Sequence, residues 1–185
     1  MSREELLEAL ERYRTEYDVE RSFISLFRDL LKHPRAYDRD HLPGHMTGSA
    51  WIVDETGGQV LLTHHAKLNR WLQPGGHADG EENIFEVALR EAREETGIDN
   101  LKLLTNDLFD IDIHEIPARQ GFPSHDHYDV RILLSAHRTT KLNITHESHA
   151  LEWVRIDQLP ALTENNSSMI RMAEKAAKLF TAQRE

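Results

Sequence analysis

Three glutamates, Glu91, Glu94 and Glu95, crowd a stretch that opens with Gly75-Gly76-His77-Ala78-Asp79-Gly80-Glu81-Glu82 and closes with Gly97-Ile98. The local signals predict a helix over residues 83–96. Gly75-Gly76 and Gly80 mark a turn before it, Glu81 and Glu82 enrich its first turn, and Gly97 stands where a left-handed cap would end it. At about 100° per residue, Ile84, Val87, Ala88 and Ala92 share the face that should be buried. The three glutamates project onto that side, whereas Glu86, Arg90 and Arg93 point away. Glu91 and Glu95 are one helical turn apart and repel, and neither has a basic residue three or four positions away; Glu94 has Arg90. All three lie where the helix dipole disfavours negative charge. A solvated acidic face would not interrupt the apolar side of its helix. Clustered carboxylates become tolerable when a hard divalent cation neutralises them, and oxygen donors of this kind suit Mg²⁺. The chemistry expected here is that of a metal site.

Gly76, Glu82, Arg90-Glu91-Ala92, Glu94-Glu95 and Gly97-Ile98 fill every defined position of the Nudix box, so the chain resembles that family. A looser likeness covers about residues 48–160. The resemblance implies an α/β fold, an α/β/α sandwich with a mixed sheet, and metal-dependent hydrolysis of a nucleoside diphosphate linked to some group X. It implies Glu94 and Glu95 as main ligands of Mg²⁺ or Mn²⁺, with Glu91 a further ligand or a water-orienting carboxylate. The Gly75 carbonyl would complete the site, and Arg90 with Glu82 would brace the loop against the helix. Read from the residues alone, Arg90 is equally a surface partner of Glu86 and Glu94. The family also places a short strand and loop, here Trp71 to Gly76 and on to His77, against the substrate's phosphates. An acid about six positions before a strand tryptophan supplies another ligand or the general base. Glu147 holds that place before Trp153, and Glu152 is the competing choice, its strand position turning the carboxylate to solvent.

Composition is that of a water-soluble enzyme. A chain of 185 residues suits one domain with extensions, divided here into a helical extension and loop (residues 1–47) and the catalytic domain (48–185). A formal charge of −10 argues against a general nucleic-acid surface while leaving room for a basic pocket for one small diphosphate substrate. There is no cysteine, which excludes disulfides and a thiol nucleophile. No apolar run approaches the roughly 20 residues of a membrane span, and the N-terminus has no signal-peptide pattern, so a cytoplasmic setting without membrane contact is expected. The resemblance leaves a homodimer open.

The remaining elements must position the site. Leu6, Leu7, Leu10, Tyr13 and Tyr17 recur at helical spacing, as do Phe23, Ile24, Phe27, Leu30 and Leu31, predicting two N-terminal helices with Asp18 as a cap between them. This extension would pack on the core, form a dimer contact or cover the substrate. Residues 34–47 read as a loop, in which His41 and His45, like His33 before it, are expected at the surface. Strands are predicted over 48–54 and 59–65 about a turn at Glu55-Thr56-Gly57-Gly58. Asp110-Ile111-Asp112-Ile113-His114 alternates with period two, and beyond a loop over 115–123 so do His125, His127, Asp129 and Arg131 against Tyr128, Val130, Ile132 and Leu134. Paired as a hairpin, these strands would share a polar face that either meets solvent or binds phosphates, a base or a second metal; His127 and Arg131 are its candidate substrate contacts. A His-x-His pair alone is weak evidence for zinc, because strand alternation produces the same spacing. The chain should close on a helix over 165–182 with Met169, Ile170, Ala173, Ala177 and Phe180 on its buried face.

The chemistry implied is in-line displacement at phosphorus, with Glu147 or Glu91 taking the proton of the attacking water. A prenyl-diphosphate isomerase on the same fold would need a cysteine, which is absent. A non-catalytic nucleotide-sensing module would more often have lost its acidic positions. The sequence carries no proline pattern typical of ADP-ribose hydrolysis and no tyrosine soon after the box of the kind seen in dinucleoside polyphosphate hydrolases, so the substrate stays open within its class.

Overall fold

The computed structural model describes residues 1–119 and 121–182. In chain order the elements are α1 (Arg3–Arg12), α2 (Asp18–Leu30), β1 (Gly44–Val53), β2 (Gln59–His65), β3 (Arg70–Leu72), β4 (Gly75–His77), α3 (Ile84–Thr96), β5 (Lys102–Leu103), β6 (Asp110–Ile116), β7 (His125–Ser135), β8 (Ser148–Arg155), α4 (Leu159–Leu162) and α5 (Ser167–Ala182). Hydrogen-bonded strand neighbours run β3-β2-β1-β7-β5, with β4 beside β1, β6 beside β7 and β8 beside β2. The chain forms two compact units, and β1, β4, α3 and β7 contribute residues to both. Met1–Ser49, Gly76–Ala88 and Asp107–Ile132 make the first; Ala50–Gly75, Leu89–Asn106 and the stretch from Leu133 onward make the second. No helix among the described residues is long and apolar enough to cross a membrane.

In the first unit, α1 starts on a capping box. Ser2 Oγ accepts from the Glu5 amide at 3.3 Å while the Glu5 carboxylate accepts from the Ser2 amide at 2.7 Å. Asp18, expected as a cap, is instead the first helical residue of α2. Tyr17 takes the cap position and makes no side-chain capping bond, and Asp18 pairs forward with Arg21. Leu6, Leu10, Phe27 and Leu31 from this extension share one buried cluster with Tyr37, Met46, Ile84, Val87, Ile111 and Val130, so the extension packs into the core. Fully buried Glu20 accepts from Tyr13 Oη at 2.5 Å, from Thr15 Oγ1 and from the Ile111 amide at 3.3 Å, which ties α2 to β6.

β1 begins at Gly44, earlier than the expected 48, because His45, Thr47 and Ser49 alternate with Met46 and Gly48 and already follow a strand period. Gly48 is required by close approach: a Cβ there would lie 3.0 Å from the Ala88 amide and the Ile84 carbonyl of α3. β6 and β7 pair antiparallel in the register Asp110↔Arg131, Asp112↔Asp129, His114↔His127 and Ile116↔His125. The polar face they share is not solvent. Asp110, Asp112, Asp129 and Arg131 are all buried. Arg131 donates through Nη1 to Asp110 (3.1 Å), Nη2 to Asp112 (3.1 Å) and Nε to Asp129 (2.8 Å), and Asp129 accepts further from Thr47 (3.0 Å) and Ser49 (2.8 Å).

In the second unit, β2 pairs antiparallel with β8 from Gln59↔Arg155 to His65↔Ser148 and with β3 through His64↔Trp71. Asp54 closes the turn before β2, accepting from the Gly58 amide at 2.8 Å and the Gln59 amide at 3.1 Å. α3 ends as expected: Gly97 sits at φ +70°, its amide donating to the Arg93 carbonyl at 2.8 Å. The buried residues of α5 are Met169, Arg171, Met172, Ala173 and Ala176, which include Met169 and Ala173 of the expected face, whereas Ile170 is half-buried and Ala177 exposed.

The Arg131 network generates a stability prediction. Removing one partner of a buried ion group leaves charge uncompensated at a cost of about 3–5 kcal/mol. Arg131→Met should lower the unfolding free energy by about that amount in urea titrations. A loss below about 1 kcal/mol would show that the three aspartates do not depend on the guanidinium.

Candidate active site

The second unit gathers the carboxylates. α3 turns Glu95 fully inward at 6% exposure, Glu91 largely inward with its side chain 13% exposed, and Glu94 outward with its side chain 60% exposed. The three therefore do not lie equally on the buried side; they span a range from core to solvent. Glu95 Oε1 accepts the Gly75 amide at 3.0 Å, so β4 supplies an N–H at the point where the resemblance implied a carbonyl ligand. Arg90 lies 2.7 Å from Glu91 Oε1 and 3.4 Å from Glu94 Oε2. Adjacent helical residues do not face each other, yet the long guanidinium reaches back to Glu91, a partner that helical spacing does not predict.

Glu147 joins them from the turn before β8. Its carbonyl accepts from the Ala66 amide at 2.8 Å, which fixes the turn against the end of β2. The Glu147 carboxylate is exposed, and its charge is felt by both Glu91 and Glu95. Glu152, the competing acid, is exposed on β8 opposite Leu62.

The electrostatics follow from burial and crowding. Burial pushes the Glu95 carboxyl up to about 7; the Gly75 N–H opposes this, and the charges of Glu91, Glu147 and Glu94 add to it. Glu91 is raised chiefly by burial, with Arg90 opposing and Glu94 and Glu147 reinforcing. Four carboxylates in mutual range, one of them inside the protein, form an all-oxygen donor set that costs free energy unless a cation or protons neutralise it. That donor chemistry fits Mg²⁺ or Mn²⁺.

The other expected site residues have partners of their own. Trp71 stacks on His64 within the second unit, ring centroids 5.0 Å apart and planes at 28°. In the first unit, Glu82 accepts from Arg3 Nη2 at 2.7 Å, a partner from the N-terminal extension that no local pattern announces. Arg131 is buried with its guanidinium committed to three aspartates, so its role is to hold β6, β7 and Asp129 in place. His77 and His127 meet His45, all in the first unit. His45, expected at the surface, is completely buried because it belongs to β1 and not to a loop. Burial and the neighbouring imidazoles hold all three rings neutral, pushing His77 down to about 4 and His127 to about 2, and lowering His45 as well. The alternation of His45, Thr47 and Ser49 was the signal that could have placed His45 on a strand.

Known proteins share the family model and the fold. The NUDIX domain model matches residues 44–175. The asymmetrical bis(5'-nucleosyl)-tetraphosphatase of Rattus norvegicus is 29% identical over 119 residues, 60% of this chain and 74% of the rat protein. An m7GpppN-mRNA hydrolase of Xenopus laevis is 31% identical over 99 residues, which is 50% of this chain but 33% of that protein. Among solved structures, the C. elegans Ap4A hydrolase in a binary complex superposes with a TM-score of 0.60 at 18% identity, covering 74% of this chain and 98% of that one, a likeness of fold. A NUDIX-family hydrolase from Clostridium perfringens superposes with a TM-score of 0.55 at 26% identity, covering 73% of this chain and 97% of that one. With its glutamate helix, its fold and this match in agreement, the chain belongs to the Nudix family, as a Nudix-type pyrophosphohydrolase.

Proposed function

We propose that the enzyme is a Mg²⁺- or Mn²⁺-dependent hydrolase that cleaves the diphosphate linkage of a nucleoside diphosphate joined to a further group. The observation that carries this reading is the meeting of Glu91, Glu94, Glu95 and Glu147, with the Glu95 carboxyl pushed up by burial and further by the charges of the others. Glu94 and Glu95 would hold the cation with Glu91, Glu147 and the backbone at Gly75. When bound, such a cation neutralises diphosphate oxygens and acidifies a coordinated water.

The chain's own residues account for the rest. The Gly75 N–H fixes Glu95 in one orientation, and Arg90 does the same for Glu91, so the donors are arranged before substrate arrives. Glu147 is exposed, which suits a base that must reach solvent water. In the displacement, a water oxygen bonds to phosphorus, the bridging P–O bond breaks in line, the water proton passes to Glu147, and the second phosphoryl fragment leaves with the electron pair. The rat and frog relatives are named for a bis-nucleosyl tetraphosphate and a capped mRNA, which supports a nucleotide on one side of the scissile linkage. The stacked Trp71–His64 pair, half-buried on β2 and β3, offers an aromatic surface for a base within the second unit.

A mass-spectrometric turnover screen with Mg²⁺ and with Mn²⁺ tests the proposal, covering nucleoside triphosphates, nucleotide sugars, ADP-ribose, coenzyme A, dinucleoside polyphosphates and capped RNA. Wild-type protein should cleave one class at the diphosphate, and Glu95→Gln should reduce that turnover by more than about a hundredfold while remaining folded. Near-normal turnover in Glu95→Gln would remove the metal-site reading.

Stability against pH provides an independent check on the metal-free protein. The Glu95 carboxyl moves from 4.5 to about 7 on folding, so the folded state binds its proton more tightly than the unfolded chain. The associated stability is present in full below 4.5 and is lost as pH rises through about 7, a loss on the order of 3 kcal/mol. With chelator present, wild-type protein should therefore weaken between about pH 5 and about pH 8 more steeply than Glu95→Gln in denaturant titrations. Adding Mg²⁺ at the alkaline end should stabilise the wild type and leave Glu95→Gln nearly unmoved. Equal pH slopes for the two proteins would show that the Glu95 charge carries no folding cost.

A further inference from the structure

The first unit contains a second set of metal-ligand chemistry that the carboxylate site does not use. His45 on β1, His77 at the end of β4 and His127 on β7 place one ring nitrogen each within 4.8 Å of the other two. Their ring centroids are 4.9–5.2 Å apart in every pairing. Around a tetrahedral zinc with Zn–N of about 2.0–2.1 Å, donor nitrogens stand roughly 3.3 Å apart, so rotations of the rings close the remaining gap without moving the strands.

The hydrogen bonding selects which nitrogens are available. His45 Nδ1 faces the His41 carbonyl at 3.2 Å, and a carbonyl only accepts, so Nδ1 carries the proton and Nε2 the lone pair. His45 is completely buried, and that Nε2 has no hydrogen-bond partner; His127 Nε2 is likewise buried and unpartnered. Leaving such atoms unsatisfied is costly, and buried polar atoms that persist this way call for an explanation. A backbone carbonyl orienting one ring nitrogen while the other points inward is the arrangement that metal-bound histidines require. The same device recurs beside the cluster: His125, stacked on His45 at 5.0 Å, directs Nδ1 to the Pro123 carbonyl at 3.0 Å.

We infer that His45, His77 and His127 form a binding site for a first-row transition dication such as Zn²⁺, with one coordination position left for water or an anionic oxygen. Three imidazoles are borderline donors that favour Zn²⁺, Co²⁺, Ni²⁺ or Cu²⁺, and they are poor partners for Mg²⁺, which takes oxygen. The ligands stand on three separate strands, a rigid frame for a preformed site. Glu91, Glu94 and Glu95 belong to the other donor class, so the two sets can be told apart by the ion each selects.

The test is a titration of the full chain, stripped with chelator, using Co²⁺ as the probe and Zn²⁺ as competitor. Wild-type protein should develop the visible ligand-field bands of nitrogen-ligated, four-coordinate cobalt at about one ion per chain. Zn²⁺ should displace the signal, and excess Mg²⁺ should not. His77→Asn and His127→Gln should each weaken Co²⁺ binding at least about tenfold, with circular dichroism checking that they fold. Glu95→Gln and the exposed His137→Ala should bind as the wild type does, which separates this site from the carboxylate site and from surface histidines. Absence of the bands in folded wild-type protein would overturn the inference, as would unchanged affinity in a folded His77→Asn or His127→Gln. The wild-type titration decides even if one variant fails to fold.

Discussion

The 3.0 Å hydrogen bond from the Gly75 amide to Glu95 Oε1 is the constraint around which the carboxylates of the second unit are arranged. It holds a carboxylate on the apolar side of α3, where burial and three neighbouring acids oppose its charge. For that bond to exist, α3 must present Glu95 inward and must stop just beyond it. Gly97 ends the helix at φ +70°, and Thr96 Oγ1 donates to the Ala92 carbonyl at 2.6 Å. A residue with a Cβ at position 97 would stand 2.6 Å from the Asn143 Cβ, so the helix end and the segment leading to Glu147 are fitted to each other. One helix terminus thereby sets both Glu95 and the approach of Glu147.

The buried charges differ in how far the fold itself compensates them. Glu20 is fully buried but receives three hydrogen bonds. Asp129 is buried but accepts from Thr47, Ser49 and Arg131, and Arg131 also bonds Asp110 and Asp112. Both groups are compensated within the fold, which is the ordinary condition for keeping charge away from water. Glu95 has one N–H and a surrounding field of like charge. Burial and that field lift its carboxyl to about 7. Strongly perturbed carboxyls beside specific charged neighbours concentrate at functional sites because an incoming ion or proton completes what the fold leaves undone.

The legible parts of this chain were those encoded within a few residues. The glutamate helix and its glycine stop are local patterns, and local patterns survive without knowledge of tertiary contacts. The β6–β7 pair was legible as alternation, but alternation reports only that residues share a face. Whether that face meets solvent depends on what packs over it, and here Thr47 and Ser49 from β1 help enclose it. His45 was misplaced for a related reason: its partners His77 and His127 are distant in sequence, and irregular spacing among His33, His41 and His45 concealed that His45 belongs to a strand. Glu82 pairing with Arg3 is another long-range choice invisible to spacing. His33 and His41 do lie together, their rings 4.1 Å apart.

Donor chemistry distinguishes the two clusters more sharply than position in the sequence does. His77 and Gly75 belong to one short strand, β4, yet each contributes to a different kind of environment. At Gly75 the backbone N–H supports an anionic oxygen donor, and the cost being managed is repulsion among carboxylates. At His77 the neighbours are imidazoles that burial keeps neutral, and the cost being managed is the desolvation of lone pairs. A hard dication relieves the first cost because it cancels charge. It does little for the second, where a softer ion able to accept nitrogen lone pairs is needed. Because the two costs differ in kind, relief of one leaves the other standing. The persistence of neutral, inward-facing histidines therefore does not follow from the Nudix carboxylates and requires its own physical cause.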